Sequence, residues 1–427
     1  MTATLQLGDC REVMASMPEA SVDAIVCDPP YGLEFMGKGW DHGAPGVPFW
    51  TEALRVLKPG DHLLAFGGTR TFHRLTCAIE DAGFEVRDCL SWLYGSGFPK
   101  SLDVSKAIDK AAGAEREVVG VDASRAARLV NQRDGSVSTG GQWEHGPRIV
   151  DITAPATDAA KQWDGWGTAL KPAWEPIILA RRPLVGTVAA NVLAHGTGAL
   201  NVDGCRVKCA GGSPAEARRE SARRAGRTST KPGCYDRPLQ DRTSPDRYME
   251  SRAGEAAGRW PANVLLDPEA AAMLDEQSGE RASGTAVGGL HRRSTKESVF
   301  GHGGAERIGD AGFGDSGGAS RFFYTAKTSS SERHGDDGAN GQAVKNDHPT
   351  VKPVDLMAYL VKLVTPPEGT VLDPFMGSGS TGIAALRLGF DFVGIEREEN
   401  YLKIAEARIR EDAPLFNSVE VDLDTNR

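Results

Sequence analysis

One segment near the C-terminus leaves few choices of fold. Thr370-Val371-Leu372 reads as a short apolar strand running into Asp373-Pro374-Phe375-Met376-Gly377-Ser378-Gly379-Ser380-Thr381. Helical spacing follows from Thr381 to Leu388 and stops at Gly389. A second apolar strand, Phe392-Val393-Gly394-Ile395, then ends at Glu396, about twenty residues after the glycines. Strand, glycine turn, helix, strand and terminal acid make the βαβ unit of a nucleotide-binding sheet. The glycines let a ligand approach backbone N–H groups, and the acid accepts ribose hydroxyls. No lysine follows the glycines in the manner of a P-loop, so a triphosphate site is not expected.

A second segment, at the other end of the chain, carries different chemistry. The strand Val22 to Cys27 runs directly into Asp28-Pro29-Pro30-Tyr31. Two prolines fix the backbone, so the Asp28 carboxylate and the Pro29 carbonyl present two hydrogen-bond acceptors in a set geometry. Two acceptors suit an exocyclic NH2 group, and the Tyr31 ring offers a face for a base to stack on.

Between these segments the pattern alternates. Leu5 to Leu7 reads as a strand, Arg11 to Met17 as a helix, Phe49 to Leu57 as a helix stopped by Lys58-Pro59-Gly60, and His62 to Phe66 as a buried strand. Phe72 to Ala82 is helical and Phe84 to Tyr94 is a strand. Trp174 to Ala180 is expected as its antiparallel partner, the alternative being an independent β element. Pro353 to Val364, with proline in the first turn, and Asn400 to Arg410 are helices, and no strand is expected after Glu396. Such alternation predicts a mainly parallel sheet covered on both faces.

The middle of the chain is different. Of its 427 residues 40% are apolar, which fits long polar and glycine-rich stretches between folded parts. Net charge is −9, yet Asn201 to Trp260 holds thirteen Arg and Lys against eight Asp and Glu. An acidic body with one basic segment suits a dedicated polyanion contact, in which arginines from Arg218 to Arg259 meet phosphates. Ser278 to Ser320 is glycine-rich and expected to be mobile, and Arg321 to Tyr324 fits either strand core or a nucleic-acid face. Trp163, Trp166 and Trp174 are expected to pack a core. Seven scattered cysteines read as reduced cytosolic thiols; Cys205, Cys209, Cys234 and His195 have spacings too irregular for a zinc site. No metal site is expected. Neither a membrane span nor a secretion signal is expected either.

Taken together, these motifs resemble the S-adenosylmethionine-dependent DNA amino-methyltransferases acting on adenine N6 or cytosine N4. The match covers roughly residues 4 to 95 and 345 to 411, more weakly 171 to 183. It is similar to the permuted subgroup, in which the Asp-Pro-Pro-Tyr motif precedes the recognition region and the cofactor motif comes last. The resemblance implies an α/β fold: a seven-stranded, mostly parallel, Rossmann-like methyltransferase sheet, circularly permuted, with an inserted recognition region. It divides the chain into a catalytic half (1–95), an insertion (96–172), a returning strand (173–183), a target-recognition region (184–334), a cofactor-binding half (335–412) and a tail (413–427).

Further implications concern the site. Asp28, Pro29, Pro30 and Tyr31 would be catalytic. Asp9, Cys10, Asp28, Thr350, Lys352, Asp373, Phe375, Gly377, Gly379, Ser380 and Glu396 would bind S-adenosyl-L-methionine, with His348 to Pro353 leading into the first cofactor helix. The partner would be double-stranded DNA, with the base flipped out of the stack. Asp before Pro-Pro-Tyr favours adenine within that family; cytosine N4 and a protein or RNA amide or amine are the alternatives. A cytoplasmic, nucleoid-associated enzyme is expected. A homodimer and a partner nuclease stay open.

Overall fold

Strand after strand in this chain is apolar on both sides, and both sides are covered. The computed structural model describes residues 1–33, 43–97, 101–121, 151–208, 258–282, 315–326, 351–412 and 418–422. Its strands are β1 (Thr2–Leu7), β2 (Val22–Cys27), β3 (Leu57–Phe66), β4 (Glu85–Leu93), β5 (Val118–Val121), β6 (Asp151–Thr153), β7 (Trp174–Arg181), β8 (Val264–Leu266), β9 (Arg281–Ala282), β10 (Ser316–Gly317), β11 (Tyr324–Thr325), β12 (Thr370–Asp373), β13 (Asp391–Glu396) and β14 (Ser418–Asp422). Its α-helices are α1 (Cys10–Ser16), α2 (Val47–Val56), α3 (Phe72–Asp81), α4 (Val104–Ala111), α5 (Asp158–Gln162), α6 (Val188–His195), α7 (Pro268–Ser278), α8 (Val354–Val364), α9 (Ser380–Arg387) and α10 (Glu399–Asp412).

One sheet dominates, in the order β11-β8-β4-β7-β3-β2-β12-β13-β1-β14. Only β7 runs antiparallel to its neighbours, pairing with both β3 and β4. The seven strands read from sequence lie side by side from β4 to β1. The sheet has ten strands rather than seven, because β8 and β11 extend one edge and β14 the other. β14 also corrects the expectation that no strand follows Glu396. It pairs in parallel with β1 from Ser418 opposite Thr2 to Asp422 opposite Gln6, covering an edge that would otherwise expose unpaired backbone. Its sequence signal is a short period-two pattern, with Val419 and Val421 between polar residues.

Alternating side chains feed two cores. On β2, Ala24 and Val26 join one apolar cluster while Val22, Ile25 and Cys27 join the other. On β7, Ile177 and Leu179 face the first, and Ile178 and Ala180 the second. The first cluster is roofed by α8, α9 and α10, through Leu360, Ile383 and Ile409 among others. The second is roofed by α1, α2 and α3, through Met14, Trp50 and Leu75. Each fully buried Leu, Ile or Val contributes about 1.5–3 kcal/mol, so this two-sided covering fixes the sheet order.

Chain direction then decides where a ligand can sit. β1, β2, β12 and β13 are parallel, so Gly8, Asp28, Asp373 and Glu396 all emerge at one edge. Between β12 and β2 the connections turn to opposite sides of the sheet, which opens a crevice outside the strand ends.

Several smaller expectations are corrected. α2 passes into β3 without a loop, so Lys58-Pro59-Gly60 lies within the strand. Pro353 caps α8 instead of occupying its first turn. Trp163 and Trp166 are 41% and 60% exposed and touch each other edge to face, outside both cores. Phe322 is exposed, whereas Tyr324 stacks on Tyr359 at 4.1 Å. Cys209, Cys234, Arg218 and most of the glycine-rich tract lie outside the described residues.

Candidate active site

The glycine turn is built around two buried carboxylates. Asp373 ends β12; its Oδ1 accepts the Phe375 N–H at 3.0 Å and its Oδ2 accepts the Thr381 hydroxyl at 2.6 Å. Glu396 ends β13 and accepts the N–H groups of Gly377 and Glu398, each at 2.8 Å. The turn's own Gly377 amide is therefore directed at the acid. Gly379 has φ +81°, and a Cβ there would stand 3.0 Å from the Ala405 Cβ. Only glycine gives both the left-handed backbone and the close approach of α10. Burial pushes the Asp373 carboxyl up to about 7, against the pull of Thr381 and Phe375, with Asp28 and Glu396 adding to the rise. Burial likewise raises Glu396, opposed by the N–H groups of Glu398 and Gly377.

The N-terminal strands supply the opposite wall. Asp9 follows β1 and caps α1 by accepting the Arg11 N–H at 2.9 Å. Burial opposes its charge, but the Arg11 amide and guanidinium together hold its pKa below the ordinary value. Burial beside Asp9 pushes the Cys10 thiol up to about 12, so it is a neutral lining group. The stretch 43–45 lines the cavity, and the Trp50 indole N–H holds it by donating to the Pro45 carbonyl at 3.0 Å. Gly32, at φ +68°, passes under that stretch so closely that a Cβ would lie 2.7 Å from the Ala44 nitrogen.

Asp28 lies in an ionic corner. Its Oδ1 accepts the Tyr31 hydroxyl at 2.9 Å and its Oδ2 accepts Lys352 Nζ at 2.7 Å. The same ammonium lies 3.2 Å from Glu175 Oε2 and 3.2 Å from the Tyr31 oxygen. Lys352 is buried over the rings of Phe66 and Tyr31. Burial opposes its charge, but Asp28 and Glu175 outweigh that and raise its pKa. Burial with the same two carboxylates holds the Tyr31 phenol neutral.

A single cavity of about 220 Å³ joins these parts. Asp9, Cys10, Asp28, Pro30, Lys352, Asp373, Phe375, Gly377, Ser380 and Glu396 all line it. Pro29 is buried and Tyr31 half-buried; neither of them nor Gly379 lines the cavity. Thr350, with His348 and Pro349, lies outside the described residues. Phe375 is braced by Phe49 and Trp50, with ring centres 6.1 and 6.3 Å away.

Residues 236–407 match the profile of the N6/N4 methylase family, described as DNA methylase. Over that stretch the chain is similar to the N6/N4 DNA methylases. The matched stretch takes in Lys352, the glycine turn and Glu396 and leaves Asp28 outside. Among curated members, the type II methyltransferase M.HinfI of Haemophilus influenzae is 43% identical over 77 residues, 18% of this chain and 21% of that protein. The type II methyltransferase M2.LlaDCHI of Lactococcus lactis subsp. cremoris is 46% identical over 66 residues, 16% of this chain and 24% of that protein. The chain thus spans less than a quarter of the length of these relatives. Among solved structures, a putative DNA modification methylase from Thermus thermophilus aligns with a TM-score of 0.40 at 16% identity, covering 99% of this chain and all of the other. The PvuII cytosine-N4-specific DNA methyltransferase aligns at 0.41 with 13% identity, covering 98% and 95%.

Beside the glycine turn and the Asp-Pro-Pro-Tyr segment stand residues that sequence reading missed. Glu175 reads as one position of an apolar strand, yet antiparallel pairing of β7 carries it to Tyr31 and Lys352. Its only local signal is an acid between Trp174 and Pro176 in an otherwise apolar strand. Phe49, Arg397, Glu398 and Tyr401 also line the cavity without having been singled out.

Proposed function

We propose that this chain is an S-adenosylmethionine-dependent DNA methyltransferase of the order in which the Asp-Pro-Pro-Tyr motif comes first and the cofactor motif last. Its favoured target is the N6 amine of adenine. The observation that carries this reading is the shared cavity, in which Asp28 faces the same space as Asp373, Gly377 and Glu396.

The lining fits the methyl donor. Five carboxylates (Asp9, Asp28, Asp373, Glu396 and Glu398) stand against two cations, Lys352 and Arg397, as a ligand with a sulfonium and an ammonium requires. Apolar side chains of Phe49, Met357, Phe375 and Ile395 complete the wall and suit a purine. In this reading Glu396 takes the ribose hydroxyls, Asp9 and Cys10 flank the adenine, Asp373 with Ser380 holds the methionine end, and Gly379 shapes the turn that carries them. When bound, S-adenosylmethionine supplies an electrophilic methyl group on a sulfonium centre.

The chain's own task is to prepare the amine. Its lone pair is delocalised into the base ring, which makes it a weak nucleophile. Asp28 and the Pro29 carbonyl accept its two N–H groups and favour a tetrahedral nitrogen with a localised pair. Pro30 keeps that turn rigid, and Tyr31 lends its ring to the displaced base. Extrusion of the base from the duplex costs a few kcal/mol, which such stacking partly offsets. The basic stretch 201–260 is assigned to the phosphate backbone. Double-stranded DNA in the cytoplasm, at the nucleoid, is the substrate this implies, with the protein acting as a monomer or homodimer and with or without a nuclease of the same specificity. Among the described residues, no helix is long and apolar enough to cross a membrane.

Methyl-labelled cofactor incubated with duplex DNA, followed by digestion to nucleosides, tests the reading. Label in N6-methyladenine is the expected result. Label in N4-methylcytosine would move the target to cytosine. Label absent from DNA but present on RNA or protein would replace the reading.

A further inference from the structure

The Asp28 carboxylate has a second layer of ionic support that the proposed chemistry does not by itself require. Lys352 comes from the turn before α8 and Glu175 from the start of β7, elements far apart in sequence; Lys352 pairs with Asp28 Oδ2, and Glu175 meets Lys352 and the Tyr31 hydroxyl beside it. The three N–H groups of Lys352 have three acceptors within 3.2 Å: Asp28 Oδ2, Glu175 Oε2 and the Tyr31 oxygen. The Tyr31 hydroxyl lies between the two carboxylates, 2.9 Å from Asp28 and 3.2 Å from Glu175. Both acid side chains are about one-fifth exposed and the lysine side chain one-tenth, so solvent screens them weakly.

We infer that Lys352 and Glu175 are the positioning pair for Asp28: Lys352 fixes the carboxylate in place, and Glu175 balances the lysine so that Asp28 stays a strong acceptor. This rests on the proposed amino-methyl transfer and adds two residues to it. A lysine alone against Asp28 would draw off the electron density that must polarise the amine. Without the lysine, the two carboxylates would face each other across the Tyr31 hydroxyl, and their repulsion would favour protonation of one of them. The triad holds one net negative charge, with Asp28 facing the cavity and Glu175 outside its lining. The other titratable groups around it are Tyr31 on the same turn, Tyr94 beyond β4, Cys27 on β2 and Asp373 on β12. The three hydroxyl or thiol groups are held neutral by burial, leaving Asp373 as the neighbour whose charge changes near neutrality.

The test is the pH profile of single-turnover methyl transfer at saturating cofactor, for wild type, K352M, E175Q and the double variant. Cooperative thermal melting serves as the check on folding. Wild type is expected to be nearly flat from about pH 6 to 8, and K352M to lose at least about ten-fold at pH 6.5 and recover as pH rises. E175Q is expected to slow by about ten-fold without acquiring a pH limb. The double variant should be faster than K352M at low pH, since no second carboxylate then competes for the proton. A flat K352M profile, or losses that multiply in the double variant, overturns the positioning role while the methyltransferase reading stands. Absence of transfer by wild type on any DNA overturns both.

Discussion

Asp373 shows how one residue's surroundings set a measurable property. Its carboxyl titrates near 7 because burial outweighs the hydroxyl and amide that it accepts. The folded value lies above the ordinary 3.8, so its contribution to stability is full below about pH 4 and is lost as pH rises through 7. Affinity for a cationic methyl donor runs the other way, since only the ionised form attracts it. Calorimetric titration should show S-adenosylmethionine binding about ten-fold weaker at pH 5.5 than at pH 8, and Asp373→Asn should abolish most of that dependence. A pH-independent wild-type affinity would refute the assignment. Asp28, Asp373 and Glu396 were legible in sequence because each ends an apolar strand, and parallel strand ends gather at one edge. Glu175 was not, because an antiparallel pairing across about 140 residues decides what it meets. Lys352 was singled out for the cofactor and lines the cavity; its ion pair with Asp28, 324 residues away in sequence, was not legible.

At the scale of elements, the glycine turn is an obligatory fit between β12, α9 and α10. Gly379→Ala would place a methyl group against Ala405 and force a left-handed backbone on an L-residue. A loss of about 1–3 kcal/mol in denaturant unfolding is expected, together with weaker cofactor binding. The stretch 43–45 lining the cavity should be equally intolerant, because Gly32→Ala would press on the Ala44 backbone. The helices and strands of both halves were readable from their periodicity, since two-sided burial demands apolar runs and amphipathic faces. The short strands β8 and β14 went unread, and β11 was only one of two readings for Arg321 to Tyr324, because so few residues carry little pattern and the neighbouring edge makes them strands.

For the whole molecule, the chain ends are part of one sheet. β1 lies between β13 and β14, so residues 2–7 are fixed by residues 391–396 on one side and 418–422 on the other. Truncation after Asp412 would uncover the β1 edge and half-expose the apolar groups that pack on Val419 and Val421. It should lower the unfolding free energy by roughly 1–3 kcal/mol and increase concentration-dependent aggregation, both measurable by thermal melts at two protein concentrations. An unchanged melt would show that β14 is dispensable.

The proposed function rests on a division of labour across the cavity, in which Asp28 would act on the amine and the glycine turn with Glu396 would hold the methyl donor. The most direct measurement pairs two assays on Asp28→Ala: transfer of labelled methyl to duplex DNA and calorimetric binding of S-adenosylmethionine. The expected result is transfer reduced below detection with cofactor affinity within about three-fold of wild type. Retained transfer, or loss of cofactor binding in step with transfer in a protein that still melts cooperatively, would contradict it.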